Sequence, residues 1–234
     1  MPIMNKSASN YVEYISKNNH PYLSKKRDAS INLNGKVSDC NGEIIWCRHI
    51  ASYWSEFFCS NSGKIDYETF SSPQLLSKAI VIQENKGTNN IKGDVYFVEN
   101  ESWGSVIYNL FLQLEKENKS HTSLEVHSPG HAMALGIKIK NDKENKFVIN
   151  FYDPNQTATH KRVFFCTNNI CDIINLTAYD FLSEQCLKCY GLKEDTLSLF
   201  VDKTKSNDNN NVFIKNYLII FSKVLLLILL WEQD

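Results

Sequence analysis

The sequence predicts an α+β domain, with helices toward its N-terminal side, a meandering antiparallel sheet in its C-terminal half and an active site between the two. Three observations carry this. Apolar residues at Ile50, Tyr53, Trp54, Phe57 and Phe58 recur at the i, i+3, i+4, i+7, i+8 spacing of a core-facing helix. Residues 130–140 and 147–155 alternate between apolar and polar, as strands do, and the polar stretch 141–145 between them favours an antiparallel hairpin. The runs 79–82, 95–98, 163–165 and 197–201 read as further strands.

Residues 1–30 are rich in Lys, Asn and Ser and hold no apolar run of about 7–15 residues, so no Sec signal peptide is present. A polar, uncleaved N-terminus suits a secretion or chaperone-binding segment. The folded domain is expected over 31–202. Within it Val106, Ile107, Leu110, Phe111 and Leu114 form a second helical stripe after Ser102, and 115–119 give it a charged exit. After Asp202 the composition changes abruptly, so 203–211 read as a linker and 212–234 as a hydrophobic tail. Lys215, Asn216 and Lys223 interrupt the tail, and residues 224–231 are too short to cross a bilayer alone. The tail reads as a docking helix, as the remnant of a lost domain, or as an anchor whose lysines snorkel.

The chain has 234 residues, 43% of them hydrophobic and 22% charged, enough for one substantial core. A net charge of −1 gives no reason to invoke nucleic acid or an anionic membrane. Seven cysteines, an odd number, without a secretory signal point to free thiols in a reducing compartment. Cys166, Cys171, Cys186 and Cys189 could instead supply a zinc site of thiolates, but neither pair sits in a Gly-rich knuckle. Cys40 and Cys59 have no readable partner. No cofactor is called for.

Cys47 opens the first helical stripe. A thiol at a helix N-terminus meets the positive end of the macrodipole and unpaired backbone N–H groups, both of which favour thiolate. About a hundred residues downstream the hairpin supplies the other half of a catalytic centre. If Lys140 lies opposite Lys146, then Met133 lies opposite Asp153 and His131 opposite Asn155. By parity His131, Met133, Leu135, Ile137 and Ile139 share a face with Phe147, Ile149, Phe151 and Asp153. An apolar face therefore ends in an imidazole and a carboxylate one diagonal apart. Cys47 as nucleophile, His131 as base and Asp153 as orienting acid make a Cys-His-Asp centre, provided that the three meet in space. The plainer reading makes Cys47 a small core residue, His131 a strand-end histidine and Asp153 the start of a DPN turn.

The remaining histidines are weaker bases. His49 is two residues from Cys47 and faces elsewhere on a helix, His127 precedes a turn, His160 closes a Thr-rich stretch, and His20 and His121 lie in polar loops. For an oxyanion the backbone N–H of Cys47 is a candidate donor, with Asn155 as a second.

The stretches 45–54, 95–100, 102–104, 133–136, 152–155, 157–160 and 188–192 resemble the N-terminal domain of the Shigella enterotoxin-2-like type III effectors, over about residues 1–203. The resemblance implies a papain-like cysteine protease fold and places the family's nucleophile, base and acid on Cys47, His131 and Asp153. Papain-like enzymes carry a side-chain amide about six residues ahead of the nucleophile, here Asn41, which followed by Gly42 is equally a plain turn. It further implies secretion by a type III system into the host cell cytoplasm, possible use of a secretion chaperone, and cleavage of host proteins bearing a RIP homotypic interaction motif, which would block necroptotic and inflammatory signalling. Such effectors usually continue into ankyrin repeats, and no period of about 33 residues is readable here. A glutamine deamidase or acyltransferase would use the same triad, and a host-binding module without chemistry is the alternative outside enzymes.

Overall fold

The computed structural model describes residues 30–82, 94–141, 145–158, 164–202 and 217–220. In chain order these form β1 (Ser30–Ile31), α1 (Cys47–Ser60), α2 (Pro73–Ala79), β2 (Asp94–Val98), α3 (Trp103–Lys116), β3 (His121–Ser128), β4 (His131–Asn141), β5 (Asn145–Tyr152), β6 (Thr157–Ala158), β7 (Phe164–Thr167), α4 (Ala178–Phe181), α5 (Glu184–Cys189), β8 (Ser198–Asp202) and β9 (Tyr217–Ile220). Among the described residues a sheet runs in the order β7-β5-β4-β3-β8-β2-β9. Its pairings are antiparallel except β2 with β9. The class is α+β, as the sequence predicts, although the helices are not confined to the N-terminal side: α3 follows β2, and α4 and α5 precede β8.

The hairpin of β4 and β5 has the expected register, with Lys140 opposite Lys146 and the ladder continuing to Ala134 opposite Tyr152. Both faces of β4 are buried, and its sequence explains how. Met133, Leu135, Ile137 and Ile139 point into one core with α3, α4 and α5. Ala132 and Ala134 belong to a second core with Ile50, Trp54 and Phe58 of α1. Alternating large and small residues let a helix lie close on the small side. Gly136 extends that side: a Cβ there would stand 2.7 Å from the Phe58 ring. The buried stripe of α1 is Ile50, Ala51, Trp54, Ser55 and Phe58, so Tyr53 and Phe57 of the predicted stripe lie at its margin.

Trp54 stacks on Tyr152 with ring centroids 5.6 Å apart and planes 4° from parallel. Each such fully buried aromatic contributes about 1.5–3 kcal/mol by leaving water. Because Tyr152 immediately precedes Asp153, this contact also fixes the end of β5 against the helix that begins with Cys47.

Two expectations are corrected. Residues 79–82 form no strand: Pro73–Ala79 is a helix capped by Ser72, whose side chain accepts from the Leu75 N–H, and Pro73 at its first position suits a helix start. His121 is not in a loop but opens β3, a central strand between β4 and β8. Within the tail, Tyr217–Ile220 pairs with β2, Val95 opposite Tyr217 and Val98 opposite Ile220. The rest of 212–234, the 203–211 linker and residues 1–29 lie outside the described residues. Among the described residues no helix is long and apolar enough to cross a membrane.

Gly104 shows how tightly α3 is seated. Its N–H donates to Leu176 O at 2.6 Å. A Cβ would collide with Ile173 O and stand 2.5 Å from Leu176 N, both backbone atoms that cannot rotate away. Gly104→Ala is expected to destabilise the fold by about 3 kcal/mol or more, read as a fall in denaturation midpoint at unchanged m-value.

Candidate active site

The structure brings Cys47, His131 and Asp153 together. Cys47 is the first residue of α1 and half-buried, so its thiol is within reach of both the interior and solvent. His131, the first residue of β4, and Asp153, just past the end of β5, are each 4% exposed. His131 Nε2–H donates to Asp153 Oδ1 at 2.8 Å, closing the diagonal that the strand register predicts. The other ring nitrogen, Nδ1, is thereby left for the thiol, and the imidazole lies near enough to Cys47 for each group to shift the other's titration.

Asp153 has two jobs at once. It caps the short 3-10 turn Pro154–Gln156, accepting the Asn155 N–H on Oδ1 at 2.8 Å, and it orients the histidine. The turn reading and the catalytic reading of this residue are therefore compatible. Its second oxygen, Oδ2, accepts the Tyr190 hydroxyl at 2.7 Å.

Burial pushes the Cys47 thiol up, but the His131 hydrogen bond and charge, with the backbone N–H groups of Ala132 and Arg48, outweigh it and hold the thiol below its ordinary value. Burial likewise works against a charged His131, yet its hydrogen bonds to Asp153 and Cys47 and their charges raise it to about 9. Both shifts run in the direction of a thiolate–imidazolium pair. The rate against pH is expected to be bell-shaped, with an acid limb below the usual thiol range and an alkaline limb near about 9, measurable as kcat/KM.

The start of α1 is built differently from the expectation. The Cys47 N–H donates to Asn34 Oδ1 at 2.7 Å and so is occupied, rather than open to an oxyanion. Asn34 Nδ2 donates to Asn155 Oδ1 at 3.1 Å, and Asn155 Nδ2 donates to the Tyr190 hydroxyl at 3.2 Å. Asn155 is thus a strut between neighbours. Asn41 is the plain turn: its N–H donates to Asp39 Oδ1 at 2.8 Å and its side chain is exposed. His49 caps the helix, its Nδ1 accepting the Trp46 N–H at 3.1 Å. His127 pairs with Glu125 at 2.9 Å, and His121 Nε2 bonds Cys59 O at 2.9 Å. His20 and His160 lie outside the described residues.

Sequence reasoning missed Asn34 and Tyr190. Asn34 sits in an Asn-Leu-Asn-Gly turn, where an asparagine reads as turn chemistry, and Tyr190 is visible only as part of the stretch 188–192. Of the four cysteines weighed as zinc ligands, Cys171 and Cys189 are exposed and Cys186 is buried, accepting from Gln156 Nε2 at 3.0 Å. Among the described residues no group of three or more His, Cys, Asp and Glu is placed to hold a metal ion.

No solved structure matches the chain. It is 43% identical over 184 residues to a protein named effector protease OspD3 of Shigella flexneri, an alignment covering 78% of this chain and 33% of that relative. The chain thus spans about a third of the length of that curated relative. Residues 3–230 match the family described as ShET2 enterotoxin, N-terminal region. With a match over nearly its whole length and the motif stretches that first suggested the resemblance, this chain belongs to the ShET2 enterotoxin N-terminal family.

Proposed function

We propose that this chain is a type III secreted cysteine protease, papain-like in its mechanism, that cuts host proteins bearing a RIP homotypic interaction motif in the host cytoplasm and so blocks necroptotic and inflammatory signalling. The observation that carries the catalytic part is the buried His131–Asp153 hydrogen bond beside a half-buried Cys47 at a helix start. The printed name of the Shigella relative supports protease chemistry. The substrate class rests on the family resemblance.

The chemistry follows from the charges. The Cys47 thiolate attacks the scissile carbonyl carbon, and the electron pair moves onto the carbonyl oxygen. The positive end of α1 lies beside that developing negative charge. His131 then gives its proton to the leaving amine nitrogen as the C–N bond breaks, which leaves an acyl-enzyme thioester and a neutral imidazole. Water is deprotonated by His131 and attacks the thioester, releasing the carboxylate product and restoring the thiolate–imidazolium pair. Asp153 holds the ring in the tautomer that each step needs. No step requires a metal or a cofactor.

The test is incubation of the purified chain and its Cys47→Ser variant with a protein carrying that interaction motif, read by gel and intact mass. Fragments from the parent chain alone are expected. A target that keeps its length but changes mass would identify a deamidase or acyltransferase instead, and an unchanged target together with full biological effect of the variant would identify a non-catalytic host-binding module.

A further inference from the structure

Tyr190 is in direct contact with both members of the imidazole–carboxylate pair, and no step above uses it. It follows α5 and is held from two sides. Its N–H donates to Cys186 O at 2.8 Å, and its carbonyl accepts from the N–H of Gly130, the residue before His131, at 3.1 Å. Gly191, at φ +77°, reverses the chain directly after it. The tyrosine is 6% exposed, and its ring stacks on the His131 imidazole with centroids 4.1 Å apart and planes at 29°. Its hydroxyl donates to Asp153 Oδ2 at 2.7 Å and accepts from Asn155 Nδ2 at 3.2 Å.

We propose that Tyr190 is the positioning residue of this centre: its hydroxyl fixes Asp153 Oδ2 so that Oδ1 is presented to His131, and its ring stabilises the imidazolium by covering one face. This deepens the cysteine protease reading and rests on it. A carboxylate held only through Oδ1 could turn about its own bond and lose alignment with Nε2. With Oδ2 tied to a hydroxyl that is itself braced by Asn155, that turn breaks a charge-assisted hydrogen bond in a buried place. The π-face of a phenol attracts a cation, most strongly where water is excluded. Through Asn155 and Asn34 the same set of bonds reaches the Cys47 N–H, so the base and the nucleophile are referred to one frame.

The titratable groups around the imidazole are Cys47 from α1, Asp153 after β5 and Tyr190 after α5. Cys186 of α5 lies near Asp153 and Tyr190, and burial pushes its thiol up, with the Asp153 charge adding to that. Burial, followed by the Asp153 charge, pushes the Tyr190 hydroxyl well above its usual value, so it remains a donor wherever the enzyme works.

The experiment is the rate of Cys47 alkylation by iodoacetamide against pH, read by mass spectrometry on the peptide carrying Cys47, in the parent chain, Tyr190→Phe and Tyr190→Leu, with melting curves for each. The parent limb is expected below the ordinary thiol range. Tyr190→Phe keeps the ring and loses the hydroxyl, and its limb moves up by about one pH unit. Tyr190→Leu loses both and moves further. With a cleavable target, Tyr190→Phe lowers kcat about tenfold and leaves KM within about twofold. A purely structural role would lower the melting temperature without moving the limb, so folded variants whose limbs coincide with the parent's would overturn the proposal. A parent limb in the ordinary thiol range would defeat the thiolate reading itself before either variant is compared.

Discussion

Cys47→Ala is expected to lower target cleavage by at least about 10⁴-fold and to leave the melting temperature within about 2 °C of the parent. Removing one sulfur from a half-buried helix start takes away the atom that forms the thioester but little packing, because α1 is held by Ile50, Trp54 and Phe58 further along. His131 keeps its bond to Asp153 in the variant, so the fold around the imidazole is undisturbed. The measurement is steady-state cleavage beside a melting curve. Comparable cleavage by the folded variant would remove Cys47 from the chemistry.

Asp153→Asn lowers kcat by about 10³–10⁴-fold. The substitution is nearly isosteric, yet it inverts the bonding. Asp153 Oδ1 accepts from both His131 Nε2 and the Asn155 N–H, and Oδ2 accepts from Tyr190. An asparagine that keeps its oxygen toward the backbone and its NH₂ toward Tyr190 opposes a hydroxyl donor with another donor. If it turns, the NH₂ faces Nε2 and forces the proton onto Nδ1, where the ring can no longer accept the thiol proton. The variant also differs from the parent in stability with pH. His131 is raised from 6.5 to about 9 by burial-resisted hydrogen bonding to Asp153 and Cys47, so in the parent this group's stabilisation is complete below 6.5 and is lost as pH rises through about 9. The stability gap between parent and variant is therefore widest below 6.5 and narrows as pH rises through about 9 to the pH-independent cost of the donor facing Tyr190, as denaturant melts at several pH values would record.

The β4–β5 hairpin was legible because its evidence is local. Alternation fixed which residues share a face, the polar turn fixed the register, and together they placed His131 a diagonal from Asp153. The start of α1 at Cys47 was legible for the same reason. β3 was not: its residues are mostly buried on both faces, and in a central strand His, Thr, Ser and Glu can be satisfied by neighbours invisible in sequence, as Ser123 is by Ser55 of α1. Residues 79–82 misled because their β-branched run follows a Ser-Pro helix that ends at Ala79, so Ile80 closes the helix, its N–H donating to Leu76 O, instead of opening a strand. Asn34 and Tyr190 were missed because their roles depend on partners far along the chain: Asn155 lies 121 residues from Asn34, and Asp153 lies 37 from Tyr190.

The short segment around β1 ties these distances together. Ile31 pairs with Thr157, the Leu33 N–H donates to Pro154 O at 3.0 Å, Asn34 accepts from Cys47, and the Gly35 N–H donates to Ile45 O at 2.9 Å. In about five residues the chain touches the turn that begins with Asp153 and the loop that leads to Cys47. Contacts of such long range form late, since loop-closure entropy must be overcome first. In a chain that is still unfolded Cys47, His131 and Asp153 are apart. If the proposed triad acts, its thiol is then an ordinary cysteine, so the protein would be unarmed during synthesis or during any passage that requires it to be unfolded, and would become reactive only on reaching its final shape.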